Sequence, residues 1–147
     1  MRRAALLDVN VLVALFDPDH IHHEASHDWF GRSRADGWAT CPLTENGLVR
    51  VLSNPAYARA PEPPGSILGR LDAFCGSGGH VFWPGEISLR DTRLCNRASR
   101  LSHQSVTDVY LLALARHRGG RLATFDRSIP LAAVVGAELD HLAVIPA

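Results

Sequence analysis

Four carboxylates stand where this sequence can do chemistry. Asp8 and Asp126 directly follow short apolar runs that read as strands, while Glu45 and Asp108 fall in the first turns of helices that follow connections. All four are carboxyl-end positions of a sheet, and in open α/β sheets such positions converge on one crevice however distant they are in sequence. Acids so gathered raise one another's pKa values and repel unless a cation neutralises them, and hard oxygen ligands select Mg²⁺ or Mn²⁺ over softer zinc. A cation bridged by carboxylates can hold a phosphodiester, activate a water for in-line attack and stabilise the leaving oxygen without a covalent nucleophile. Read singly, each acid favours a structural role. Glu45 and Asp108 offset the positive ends of helix dipoles, and Asp8 and Asp126 serve as turn residues that end strands. Only their joint topology turns the reading toward a metal site.

The elements that must position these acids follow from the hydrophobic pattern. Ala4 to Leu7 reads as a strand buried on both faces, and Val11 to Phe16 as a short helix ended by Asp17-Pro18-Asp19. From His20 to Arg34, Ile21, Ala25, Trp29 and Phe30 recur at helical intervals, and Gly37 breaks the chain before a strand at Trp38 to Cys41 that Pro42 closes. Thr44 is expected to cap a helix over Glu45 to Leu52, stopped by Asn54-Pro55. Ala60 to Gly65 reads as a surface connection before a helix around Ile67 to Phe74, and Gly76 to Gly79 turns the chain into a strand at His80 to Trp83. A further helix is predicted over Ser88 to Leu101. The strongest helix is predicted from Ser105 to His117, with a capping box at Ser105 to Asp108 and a stop at Gly119-Gly120. Strands at Leu122 to Phe125 and Leu142 to Ile145 complete an alternation that predicts an α/β/α three-layer sandwich around a mainly parallel sheet.

A chain of 147 residues with 46% hydrophobic and 20% charged residues is expected to form one folded domain over residues 1–147. Fifteen basic residues balance fifteen acidic ones, so no overall field steers the molecule toward nucleic acid, and any such binding must use a local patch. Every basic residue is arginine. The absence of lysine argues against P-loop NTPases, Schiff-base enzymes and lysine-dependent phosphotransfer receivers. Cys41, Cys75 and Cys95 are odd in number and far apart, which fits a reducing, cytoplasmic setting better than a disulfide framework and makes them small buried residues rather than nucleophiles. No signal peptide is visible, and no run of about 18 apolar residues marks a membrane span.

Four segments then carry a resemblance: Leu6-Leu7-Asp8-Val9-Asn10-Val11-Leu12, Thr44 to Leu52, Val106 to Ala115, and Leu122 to Arg127. In order and spacing they resemble the PIN-domain ribonucleases. More narrowly, the chain is similar to the VapC-type toxin half of VapBC toxin–antitoxin pairs of the mycobacterial kind. The resemblance covers essentially the whole chain. It implies metal-binding acids at Asp8, Glu45, Asp108 and Asp126, with Asp8 and Asp108 central, and polar neighbours at Asn10 and Thr124 that orient them. It also implies Mg²⁺- or Mn²⁺-dependent cleavage of RNA by a homodimer that a cognate VapB-type antitoxin blocks in a heterotetramer or larger complex. Val9 departs from the family, which more often has a hydroxyl residue there. Two other readings remain open at this point: a PIN nuclease of RNA processing without an antitoxin, and a non-catalytic binding module on the same scaffold.

Other side chains admit two readings. His20, His23 and His27 fall near one face of a helix, but no acid or cysteine completes a tetrahedral set nearby, so structural histidines are expected. Arg90, Arg93, Arg97 and Arg100 would form one basic stripe on a helix, fit to track RNA phosphates or to serve as a solvated face. Arg50 and Arg127 adjoin the acidic segments and are candidates to grip the scissile strand or to receive an antitoxin's acid.

Overall fold

A computed structural model describes residues 3–58, 60–99 and 101–147. Five strands, β1 (Ala5–Leu7), β2 (Trp38–Thr40), β3 (His80–Phe82), β4 (Arg121–Thr124) and β5 (Leu142–Val144), form one sheet in the order β3-β2-β1-β4-β5. All pairs are parallel, with Ala5 opposite Trp38 and Arg121, and Thr40 opposite Phe82. The helices are α1 (Val9–Phe16), α2 (His23–Ser33), α3 (Pro42–Leu52), α4 (Pro64–Cys75) and α5 (Val106–His117). This is the expected α/β sandwich with a parallel sheet.

Alternation along the strands divides the core between two faces. Ala5, Leu7, Trp38 and Ala123 pack with Leu12, Trp29, Phe30, Leu48 and Ile67 under α1 to α4. Leu6, Ala39 and Leu122 pack with Leu111, Leu112 and Leu114 of α5 on the other. The three central strands are therefore apolar at Ala5–Leu7, Trp38–Ala39 and Leu122–Ala123, as parallel strands buried on both faces must be. Strand order reverses between β1 and β4, and crevices open at such switch points outside the carboxyl ends of the strands. Among the described residues, no helix is long and apolar enough to cross a membrane.

Several boundaries differ from the sequence pattern. α3 begins at Pro42, whose fixed φ suits the first helical position, so Cys41 takes the cap position. Thr44 lies inside the helix, where its hydroxyl accepts the Cys41 N–H at 3.0 Å. α4 likewise starts at Pro64, earlier than the proline-rich composition implied. The capping box at Ser105 does not form: the Ser105 hydroxyl turns back to the Ser102 carbonyl, leaving the Asp108 carboxylate uncommitted to the cap.

The helix predicted over Ser88 to Leu101 is absent among the described residues, and turns replace it. Side chains of Ser88, Asp91 and Asn96 accept the backbone N–H groups of Arg90, Arg93 and Ala98, local bonds that compete with a helical ladder. Cys95 instead bridges to Val134 and anchors the segment beneath α5. The basic stripe is lost with the helix. Arg93 folds onto Asp91, Arg97 donates to the Arg90 carbonyl, and Arg100 lies outside the described residues.

Candidate active site

The reversal between β1 and β4 brings three of the four acids together. Asp8 ends β1 and caps α1, accepting the Val9 N–H on Oδ1 at 2.7 Å. Its Oδ2 accepts the Thr124 hydroxyl of β4, also at 2.7 Å. Thr124 is fully buried and serves as a hub, because its oxygen also accepts Asn10 Nδ2 at 3.3 Å and the Asp126 N–H at 3.1 Å. Asp126 follows β4 in a turn held by Ser128, whose N–H and hydroxyl both donate to Asp126 Oδ1. Asp108 enters from the first turn of α5 and shares a cleft of about 560 Å³ with Asp126, Ser102, Ser105 and Ser128.

The electrostatics follow from this packing. Asp8 is 5% exposed, and burial raises its pKa against the hydrogen bonds of Thr124 and Val9, which lower it; the Asp126 charge adds a smaller upward push. Asp108 is pushed up to about 6, first by burial, then by the charges of Asp8 and Asp126 and a hydrogen bond to Asp126. Three carboxyl groups thus crowd one another, an arrangement that a bound cation would relieve. Beside them, Asn10 Oδ1 is buried with no hydrogen-bond partner among the described residues, an oxygen open to a ligand. An all-oxygen cluster of this kind fits a hard divalent cation.

Glu45 stands differently. Its carboxylate accepts the Thr40 hydroxyl at 2.6 Å, and that hydroxyl lies 2.8 Å from His80 Nε2. Its charge acts on Cys75 and His80, whereas the charges acting on Asp108 are those of Asp8 and Asp126. The sequence reading did not single out Thr40 or His80 and treated Cys75 as inert. The signal for the latter two is the Cys75–His80 spacing across the Gly76–Gly79 turn.

The remaining candidates separate by position. Arg50 is exposed and lines a small cleft with Val9, Gly47 and Thr107, next to Asp8 and Asp108 in sequence. Arg127 is exposed beside Asp126. The histidines are structural: His23 Nδ1 and His27 Nε2 reach the Ala14 and Leu15 carbonyls at the end of α1, at 2.7 and 2.9 Å. His20 precedes α2 rather than sharing its face.

Comparison with known proteins agrees with this fold. Residues 5–135 match the PIN domain family model. The chain is 44% identical to Ribonuclease VapC44 of Mycobacterium tuberculosis, over 96% of this chain and 99% of that one. It is 42% identical to Ribonuclease VapC39 of the same species, over 90% and 95% of the two chains. Ribonuclease VapC38 is 44% identical over 85% of this chain and 86% of its own.

Proposed function

The chain belongs to the PIN-domain family, and from that premise we propose that it is the toxin of a type II toxin–antitoxin pair, a metal-dependent endoribonuclease. It hydrolyses RNA phosphodiester bonds with Mg²⁺ or Mn²⁺, in the cytoplasm, and is neutralised by a cognate VapB-type antitoxin. Residues 1–147 act as a single PIN domain, which works as a homodimer and forms a heterotetramer or larger assembly with the antitoxin. The observation that carries this reading is the meeting of Asp8, Asp108 and Asp126 at the strand-order reversal.

Asp8, Asp108 and Asp126 would hold the cation, with Glu45 in the first turn of α3 as the fourth acid. There the ion would supply charge neutralisation for the scissile phosphate and a lowered pKa for an attacking water. Thr124 keeps one Asp8 oxygen fixed by donating to it, so the carboxylate is oriented before any ligand arrives. Ser128 does the same for Asp126 Oδ1 through its N–H and hydroxyl. Arg50 and Arg127, both exposed at the rim, offset backbone phosphates and position the strand without reading bases.

The test is cleavage of a structured RNA pool by purified protein and by its Asp8→Asn variant, with Mg²⁺, Mn²⁺ or chelator. Cuts that need both the metal and Asp8 are expected. Equal cleavage by Asp8→Asn, or cleavage that survives chelation, would refute the assignment. Co-expression with a cognate VapB-type antitoxin is expected to remove the cuts.

A further inference from the structure

Glu45 sits among groups chemically unlike the aspartates. Glu45, Cys75 and His80 each place one ligand-capable atom within 4.8 Å of the other two. They come from the first turn of α3, the last residue of α4 and the first residue of β3. The Trp38–His80 register brings the imidazole to the face occupied by Thr40, and the Trp38 ring packs on it at 4.6 Å and fixes its plane. Cys75 Sγ and His80 Nε2 lie 3.5 Å apart. Tetrahedral zinc, with Zn–S about 2.3 Å and Zn–N about 2.05 Å, requires that separation to be about 3.6 Å. A carboxylate, a thiolate and an imidazole together select borderline-soft Zn²⁺ over Mg²⁺. A cleft of about 390 Å³, lined also by Leu68, Leu71, Asp72 and Phe82, gives an entry path and room for a water as fourth ligand.

We propose that Glu45, Cys75 and His80 form a Zn²⁺ site whose occupation withdraws Glu45 from the aspartate centre and thereby inhibits the nuclease. The metal site stands on its own geometry, whereas the inhibition rests on the nuclease reading above. The proton balance is explicit. Thr40 gives its only hydroxyl hydrogen to Glu45, so His80 Nε2 carries the hydrogen that Thr40 accepts. On binding, that hydrogen is replaced by one on Nδ1, and the Cys75 thiol proton leaves to solvent. Thr40 keeps its bond to Glu45 and becomes the outer partner that orients the ligand.

Co²⁺ is the probe, because it takes tetrahedral zinc sites and gives a near-ultraviolet band when a thiolate binds it. The full-length protein is expected to show this band and to lose it when Zn²⁺ is added. Cys75→Ser should abolish the band. His80→Gln, which leaves the thiol in place, should weaken Co²⁺ binding by at least the roughly 10–100-fold that loss of an outer partner costs. Cys41 and Cys95, both buried, are internal controls in every variant. No band, or a band that persists in Cys75→Ser, overturns the site. In RNA cleavage at saturating Mg²⁺, Zn²⁺ should stop the wild type at concentrations that leave Cys75→Ser active, and equal inhibition of both overturns the coupling. A wild type that does not cleave with Mg²⁺ alone refutes the nuclease reading, while the cobalt spectrum still decides the site.

Discussion

Replacing Asp108 by Asn should stabilise the metal-free protein at neutral pH while removing its activity. The Asp108 carboxyl titrates near 3.8 in an unfolded chain and is pushed up to about 6 in the fold by burial and by Asp8 and Asp126. The folded state therefore holds this proton more tightly than the unfolded state. Below pH 3.8 the group contributes nothing to stability; between about pH 4 and 6 ionisation becomes progressively costly in the fold, and above 6 the full penalty is present. Roughly two units at about 1.36 kcal/mol each set a ceiling of about 3 kcal/mol. Asp108 is only half-buried, so solvent screening reduces this to about 1 to 2 kcal/mol. Asn also forfeits attraction to the N-terminal end of α5, worth about 0.3–1 kcal/mol. A net gain of about 1 kcal/mol remains, or a rise in Tm of about 2–4 °C for a chain of this size. Thermal melts of both proteins in chelator at pH 4 and pH 7.5 check this, with the gain expected only at the higher pH. Added Mg²⁺ should raise the Tm of the wild type more than that of Asp108→Asn. A variant that is less stable than wild type at pH 7.5, or equally stabilised at both pH values, would refute the idea that Asp108 bears an uncompensated charge.

Further substitutions probe the junction and the α1–α3 contact beside it. Asp8→Asn should abolish cleavage while shifting Tm by no more than a few degrees, because the Val9 N–H keeps an oxygen acceptor; an unfolded variant by circular dichroism would instead make Asp8 structural. Thr124→Val strands the groups that meet its hydroxyl on Asp8, Asn10 and Asp126, which should cost about 1–3 kcal/mol in denaturant melts. It should also lower kcat about 10–100-fold, and unchanged kcat would remove Thr124 from the orienting role. Gly47→Ala would place a Cβ 2.5 Å from Val9 Cγ2, an overpacking expected to cost about 1–3 kcal/mol. Val9→Ala should relieve that cost in the double variant, and additive losses would show that the contact between α1 and α3 is not the cause.

The sequence made the central strands legible because their burial on both faces leaves unbroken apolar runs at Ala5–Leu7 and Leu122–Ala123. Asp8 and Asp126 were legible for the same reason: each is the first charged residue after such a run. The segment at 88–101 misled because arginines at helical spacing report only what a helix would expose, whereas Ser88, Asp91 and Asn96 decide locally in favour of turns. Proline composition obscured the start of α4, although Pro64 at a first helical position is a start signal. The Cys75–His80 spacing hinted at a pair, but nothing local tied that pair to Glu45. His80 reaches Thr40 only through the parallel register of β2 and β3, a long-range fact that no window around either residue contains.

The topology also explains why charge can be concentrated here in a chain with no net charge. Between β1 and β4 the connections leave in opposite directions, so no crossover helix covers the strand ends. The hydrophobic core nevertheless reaches almost to the carboxylates, since Leu7 and Ala123 are fully buried one residue before Asp8 and Thr124. Desolvation from below and like charge from the side therefore act on the same groups, which is why burial is the largest influence on both Asp8 and Asp108. The fold tolerates this because Thr124, Val9 and Ser128 fix the carboxylates with hydrogen bonds, while the remaining cost, including the unpaired Asn10 oxygen, is left where a cation can relieve it.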